Sequence, residues 1–164
     1  MRYKANNDPN YFKDHCLFTN CGSYAFNIRG WYGPDHNADQ DDTDLGIYLI
    51  EEEGLDYEEA LQVLFEEDVE RICQDFDVTE VNSKDYPLKS NEELIAFRMC
   101  VNRTFYYEEL LIDYHFRVKR DGKWMEKCGS GPVREVEDYN ERPWIISEDL
   151  VYWGPIAYFV KKTI

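Results

Sequence analysis

Basic residues are scarce in this chain. Its 164 residues hold 18 lysines and arginines against 34 aspartates and glutamates, a formal net charge of −16. Phosphate binding needs a basic surface, so a direct nucleic-acid ligand is not expected. No apolar run is long enough to span a bilayer, and no N-terminal stretch has the pattern of a signal peptide. No membrane partner is therefore expected, and the expected location is the cytoplasm, of the cell itself or of a host. The five cysteines are odd in number. No two stand as CxxC, which fits reduced thiols and argues against a disulfide framework or a structural zinc site. Histidines number only three, so candidates for a general base are few. There is no internal repeat and no low-complexity linker. One domain over residues 1–164 is expected.

What the chain does have is aromatic mass. Phe, Trp and Tyr make up 16% of it, with thirteen tyrosines, enough for a packed core despite the charge. Residues 1–19 read as a polar and aromatic arm. "CGSYAFNI" carries Tyr24, Ala25 and Ile28 at the spacing of a short helix, ended by Gly30, Gly33 and Pro34. "PDHNADQDDTD" (34–44) has the alternating Asp35, Asn37, Asp39 and Asp41 of a calcium loop. Gln40 replaces the turn glycine and Gly46 the bidentate glutamate, so it reads as a solvated acidic loop. Residues 55–76 are strongly helical, as one helix or two. Asp56 stands as N-cap and Glu59 as capping-box partner; Leu61, Leu64, Phe65, Val69, Ile72, Cys73 and Phe76 form the inner face. From Leu94 to Val101 the period changes to that of a strand, with Cys100 as a packing residue. "DLVYWGPIAYFVKK" reads as a last strand pair, or one strand bent at Gly154-Pro155.

Between these lies a hairpin that can be read residue by residue. Asp121-Gly122 is its two-residue turn. On the first strand Ile112, Tyr114, Phe116 and Val118 point one way, and Asp113, His115, Arg117 and Lys119 the other. His115 is thus expected on a polar face. Counting out from the turn, Arg120 pairs with Lys123, Arg117 with Glu126 and His115 with Cys128. Glu126 falls diagonal to His115, within reach of the imidazole. This is the base-and-orienter half of a thiol hydrolase site; the plain alternative is a surface ladder.

Cys21 is the candidate nucleophile. At a helix N-terminus, unpaired amides and the helix dipole stabilise a thiolate and lower its pKa. Its backbone amide, with Asn20 as a second donor, could hold an oxyanion. Cys21 is then expected to alkylate before Cys73 and Cys100.

These residues resemble the papain-like Cys/His hydrolases, the broad group that includes the NlpC/P60-type amidases. More narrowly, the chain is similar to small bacterial and phage proteins. The shared segments stand here as "NCGSYAFN" (20–27), "LIAFRMCV" (94–101), "DYHFRV" (113–118), "DGKWMEKCG" (121–129) and "WGPIAYFV" (153–160). The resemblance touches both ends and leaves residues 34–90 unexplained. It departs in two places: such proteins often have a histidine at the position of Glu126, and papain has a glutamine where His15 stands.

The resemblance implies an α+β, papain-like fold, with a helical N-terminal half packed on an antiparallel sheet from the C-terminal half. It implies a cysteine hydrolase or acyl-transferase acting on an amide, with Cys21, His115 and Glu126 catalytic, Asn20 at the oxyanion, no cofactor and no metal, and a protein or peptide as substrate. The rival expectation is an acidic, non-enzymatic phage protein. It would inhibit a host defence or nucleic-acid-binding enzyme by occupying that basic protein partner's site.

Overall fold

The computed structural model describes residues 3–34, 41–103, 110–147 and 150–163. Asp35, Asn37 and Asp39 of the calcium-like loop, His36, and the packing of the Cys100 side chain lie outside what is described. The helices come first: α1 (Tyr11–Asp14), a 3-10 turn (Cys16–Phe18), α2 (Cys21–Phe26), α3 (Asp42–Glu51) and α4 (Tyr57–Asp75). Eight strands follow: β1 (Val78–Val81), β2 (Glu92–Arg103), β3 (Leu110–Arg120), β4 (Lys123–Lys127), β5 (Val133–Glu135), β6 (Trp144–Ser147), β7 (Leu150–Tyr152) and β8 (Ile156–Lys162). Six form one antiparallel sheet in the order β1-β8-β2-β3-β4-β5, while β6 and β7 form a separate ribbon. The chain is therefore α+β, its helices N-terminal and its sheet C-terminal, as expected. Among the described residues no helix is long and apolar enough to cross a membrane.

Alternation along the strands builds two cores. Ile95, Phe97, Met99, Ile112, Phe116, Val118 and Phe159 face the helices, where Phe26, Leu61, Leu64, Phe65 and Ile72 meet them. Leu94, Ala96, Tyr158 and Val160 face the other way and are covered by Trp144 and Tyr152 of the β6–β7 ribbon. The sheet is thus buried on both faces. Three expectations change as a result. The C-terminal strands do not pair with each other: β7 joins β6, and β8 lies between β1 and β2, because Gly154-Pro155 separates two sheets. The face carrying His115 is not solvated, since the ribbon covers it. In the arm, α1 packs Tyr11 and Phe12 into the core, while the 3-10 turn leaves Leu17 and Phe18 exposed.

α4 is one unbroken helix, with the Asp56 carboxylate accepting from Glu59 N at 2.8 Å. Its inner stripe is Ala60, Leu61, Leu64, Phe65, Asp68 and Ile72. Cys73 is exposed, a correction to the expected stripe. Leu61, Leu64, Phe65, Ile72 and Phe76 are buried as expected and Val69 packs against them, while Asp68 is an inward residue that was not expected.

α2 is short and held at both ends. Asn20 Oδ1 accepts from Ser23 N at 3.0 Å and Ser23 Oγ accepts from Asn20 N at 2.9 Å, a reciprocal capping box. Asn27 closes the helix in the left-handed region, φ 53°. At the C-terminal end Arg120 donates to Tyr24 O and Ala25 O, and Lys161 to Phe26 O. These cations satisfy the carbonyls a helix end leaves open and oppose its dipole. A side chain at Gly22 would sit 2.5 Å from Tyr32 O. Glycine there lets α2 close on residues 31–33.

Candidate functional site

The hairpin register places the site. Asp121 (φ 53°) and Gly122 (φ 76°) make the tight turn, Arg120 pairs with Lys123 and Arg117 with Glu126. His115 Nε2 lies 3.0 Å from Glu126 Oε1, the diagonal contact expected from the sequence. Glu126 Oε1 also accepts from Arg117 Nε, and Oε2 from Arg134 Nε, each at 2.7 Å. Burial by itself would raise the Glu126 pKa. The imidazole and guanidinium bonds outweigh it and hold the carboxyl well below its usual range. An ionised carboxylate can only accept, so Nε2 carries a proton and, of the two ring nitrogens, only Nδ1 is placed to accept one. His115 is only 3% exposed. Tyr152 lies against its ring at 5.3 Å and Trp144 edge-on at 6.1 Å. Trp144 in turn carries the Arg117 guanidinium 4.4 Å above it.

β4 pairs with β3 only from Arg117 to Arg120. Ahead of Arg117 that edge of β3 has no strand beside it, and other groups take its amides. Thr43 Oγ1 accepts from Ile112 N at 3.1 Å, and the Asp113 carboxylate accepts from Tyr114 N at 2.8 Å. Cys21 is the first residue of α2, as expected, but it is buried. Burial pushes its thiol up to about 12. The Phe116 and Gly22 amides act the other way and fall short, while Asp113 and Cys128 add to the rise. This corrects the expected low pKa: a helix of six residues does not offset the loss of water.

A cavity of about 370 Å³ opens at this edge. Its wall holds Cys21, His115, Asn20, Asp113, Tyr152 and Cys128. The structure thus brings Cys21 and His115 to one cavity from opposite faces of the sheet. Among the described residues no hydrogen bond joins them. Glu126 stands behind His115, away from the cavity wall. Asn20 is committed to the helix: its Oδ1 accepts from Ser23 N and Tyr32 N, and Nδ2 donates to Tyr32 O at 2.6 Å. Among the described residues, one Nδ2 hydrogen and the Cys21 amide show no other acceptor and could serve an oxyanion. His15, at the position of papain's glutamine, stacks on Tyr11 at 4.6 Å and is exposed. It does not line this cavity.

Three residues beyond the expected set belong to the site. Cys128 Sγ, His115 and Glu126 bring ligand atoms within 4.8 Å of one another. The spacing would suit a metal, yet Glu126 already holds two guanidiniums whose charge opposes a cation. The hairpin count had placed Cys128 opposite His115, and its significance lies there. Burial, then Glu126, pushes its thiol up to about 11. Asp113 shares the His115 face by alternation. Tyr152 arrives from the ribbon, and no sequence signal joined it to the hairpin. Lys127 anchors the frame. Fully buried, it donates to Cys16 O at 2.6 Å and to Thr19 O and Gly129 O at 2.7 Å. No known protein family, no curated protein and no solved structure matches this chain, so the site stands on its own geometry.

Proposed function

We propose that the chain is a thiol hydrolase or acyl-transferase of papain-like architecture acting on an amide bond. The observation that carries this reading is the His115–Glu126 bond at 3.0 Å behind a cavity that Cys21 also lines. Glu126 fixes the imidazole with Nδ1 as proton acceptor. The Cys21 proton passes to Nδ1 of His115 and the sulfur attacks the carbonyl carbon. The oxyanion takes the Cys21 amide. The imidazolium returns its proton to the leaving amine, and water or another acceptor releases the acyl group from sulfur. The high resting pKa of Cys21 makes this thiol silent until a substrate is in place. A peptidyl vinyl sulfone is therefore expected to add to Cys21, mapped by mass spectrometry, in the wild-type protein. His115→Ala should slow that addition by about 10²–10⁴. Iodoacetamide should instead reach exposed Cys73 first. Adducts confined to Cys73 and Cys128 would end this reading.

One observation favours the rival. Glu51, Glu52, Glu58, Glu66, Glu67 and Glu70 are exposed on α3 and α4. Among the described residues none of them has a lysine or arginine within ion-pair distance. A helical layer so charged suits an inhibitor that occupies the basic site of a host enzyme.

A further inference from the structure

We propose that the cavity is a subsite for a cationic side chain, with Asp113 as the residue that selects it. This deepens the hydrolase reading and rests on it: the substrate would be a peptide bearing arginine or lysine beside the scissile amide.

Asp113 lies in the cavity wall, partly buried. Its Oδ1 accepts from Tyr114 N and its Oδ2 from the Tyr152 hydroxyl, each at 2.8 Å. A carboxylate offers about four lone-pair directions. Two are used to hold the group still, and among the described residues no other hydrogen-bond donor is seen on the rest. Among the described residues no lysine or arginine forms an ion pair with Asp113, and none lines the cavity. The contrast with Glu126 is informative. That carboxylate, on the next strand, has two guanidiniums of its own. Around Asp113 the wall is aromatic instead, with Trp31, Tyr114 and Tyr152. A fixed carboxylate among aromatic rings is the environment that recognises a guanidinium or ammonium, by charge and by the ring faces together. The volume of about 370 Å³ lies within the roughly 300–1,000 Å³ of small-ligand sites. The formal net charge of −16 would draw a cationic substrate toward it.

Such a ligand would also act on the chemistry. Asp113 is among the charges that keep the Cys21 proton in place. A cation seated on Asp113 neutralises it, so the thiolate forms more easily when a substrate of the right charge is bound.

Arginine and citrulline have nearly the same shape and differ in charge. N-acetyl-arginine N-methylamide and its citrulline analogue are titrated into the ¹⁵N-labelled wild-type protein, followed by NMR. The arginine ligand should bind about tenfold tighter, equivalent to about 1.4 kcal/mol. Its shifts should centre on the amides of Asp113, Tyr114 and Tyr152, and 0.5 M salt should shrink the difference. Asp113→Asn, isosteric and still able to accept from Tyr114 N, should erase it. Equal affinities in the wild-type protein, binding of neither ligand, or a preference that survives Asp113→Asn would overturn the subsite. The same spectra report any released methylamine. A charge preference without hydrolysis of this or longer peptides retains the subsite and retires the hydrolase. Hydrolysis without preference does the reverse.

Discussion

Glu126 shows how much one buried side chain can decide. It is 2% exposed and meets His115, Arg117 and Arg134 with its two oxygens. Its folded pKa is depressed, so its contribution to stability is present above its unfolded value, about 4.3. That contribution is lost as pH falls through the lower folded value. Glu126→Gln removes the charge and keeps the shape. At neutral pH it should cost roughly 3 kcal/mol, because the buried Arg117 guanidinium loses its counterion inside the protein and the half-exposed Arg134 loses its partner. The cost should shrink as pH falls below about 4, where the carboxyl of the unfolded wild-type chain begins to take up a proton while the folded one stays ionised. Thermal melts of both proteins from pH 7 to pH 2 measure this. A gap that stays constant would mean that Glu126 is not the charged centre of the cluster. Glutamine can also present its amide to Nε2 and reverse the imidazole tautomer, so any thiol reactivity that depends on Nδ1 should fall too.

At the scale of elements, α2 works as a part held in a frame. Its N-terminus is fixed by Asn20 and Ser23, its C-terminus by Arg120 and Lys161, and the segment leading into it by Lys127. Lys127→Ala would strand three carbonyls around one buried point. We expect a loss of about 3 kcal/mol or more, read as a lower denaturation midpoint with unchanged m-value. Lys127→Arg should not rescue it, since a planar fork cannot reach three oxygens arranged around a point charge. A variant as stable as wild type would show that the segment is held by packing alone. The same elements show what a sequence can and cannot carry. The β3–β4 register was legible because a two-residue Asp-Gly turn leaves no freedom in counting, and that count alone put Glu126 beside His115. α2 was legible from the spacing of Tyr24, Ala25 and Ile28 and from the Gly30, Gly33 and Pro34 that end it; its capping box was not. The burial of His115 was not. A strand's alternation says which residues share a face and is silent on what covers that face; Trp144 and Tyr152 come from a ribbon far along the chain. Most of the inner face of α4 was legible, but its edges were not, for a related reason. Asp68 and Cys73 sit at the margins of the apolar stripe, and only the packed partner fixes the roll of the helix. The thiol of Cys21 was misjudged because the spacing gives the helix start and not the water lost on packing.

At the scale of the whole molecule, several cations are drawn inward while the helical layer is acidic. Arg98, Arg117 and Lys127 are buried and Arg120 and Lys161 partly so, while α3 and α4 present carboxylates to water. Like charges on one exposed layer repel, and salt weakens that repulsion over a Debye length of about 10 Å at 0.1 M. Raising salt from 0.02 to 0.5 M should therefore raise the melting temperature by a few degrees, and Glu66, Glu67 and Glu70 changed together to glutamine should reproduce part of the gain at low salt. These three are the cleaner test positions. Asp41 accepts from Asp44 N as the cap of α3, and Asp42 is buried, so neutralising that cluster would confuse capping with charge. The triple variant also separates the two functional readings. Under the hydrolase reading it should leave vinyl sulfone addition at Cys21 within about twofold at physiological salt, because surface charges beyond a Debye length are largely screened there. Under the inhibitor reading, affinity for a basic partner should drop and lose most of its salt dependence, while Cys21→Ser binds as the wild-type protein does. A triple variant that melts no higher than wild type at low salt would show that the acidic layer is balanced by charges elsewhere, and the case for a basic partner would lose its physical footing.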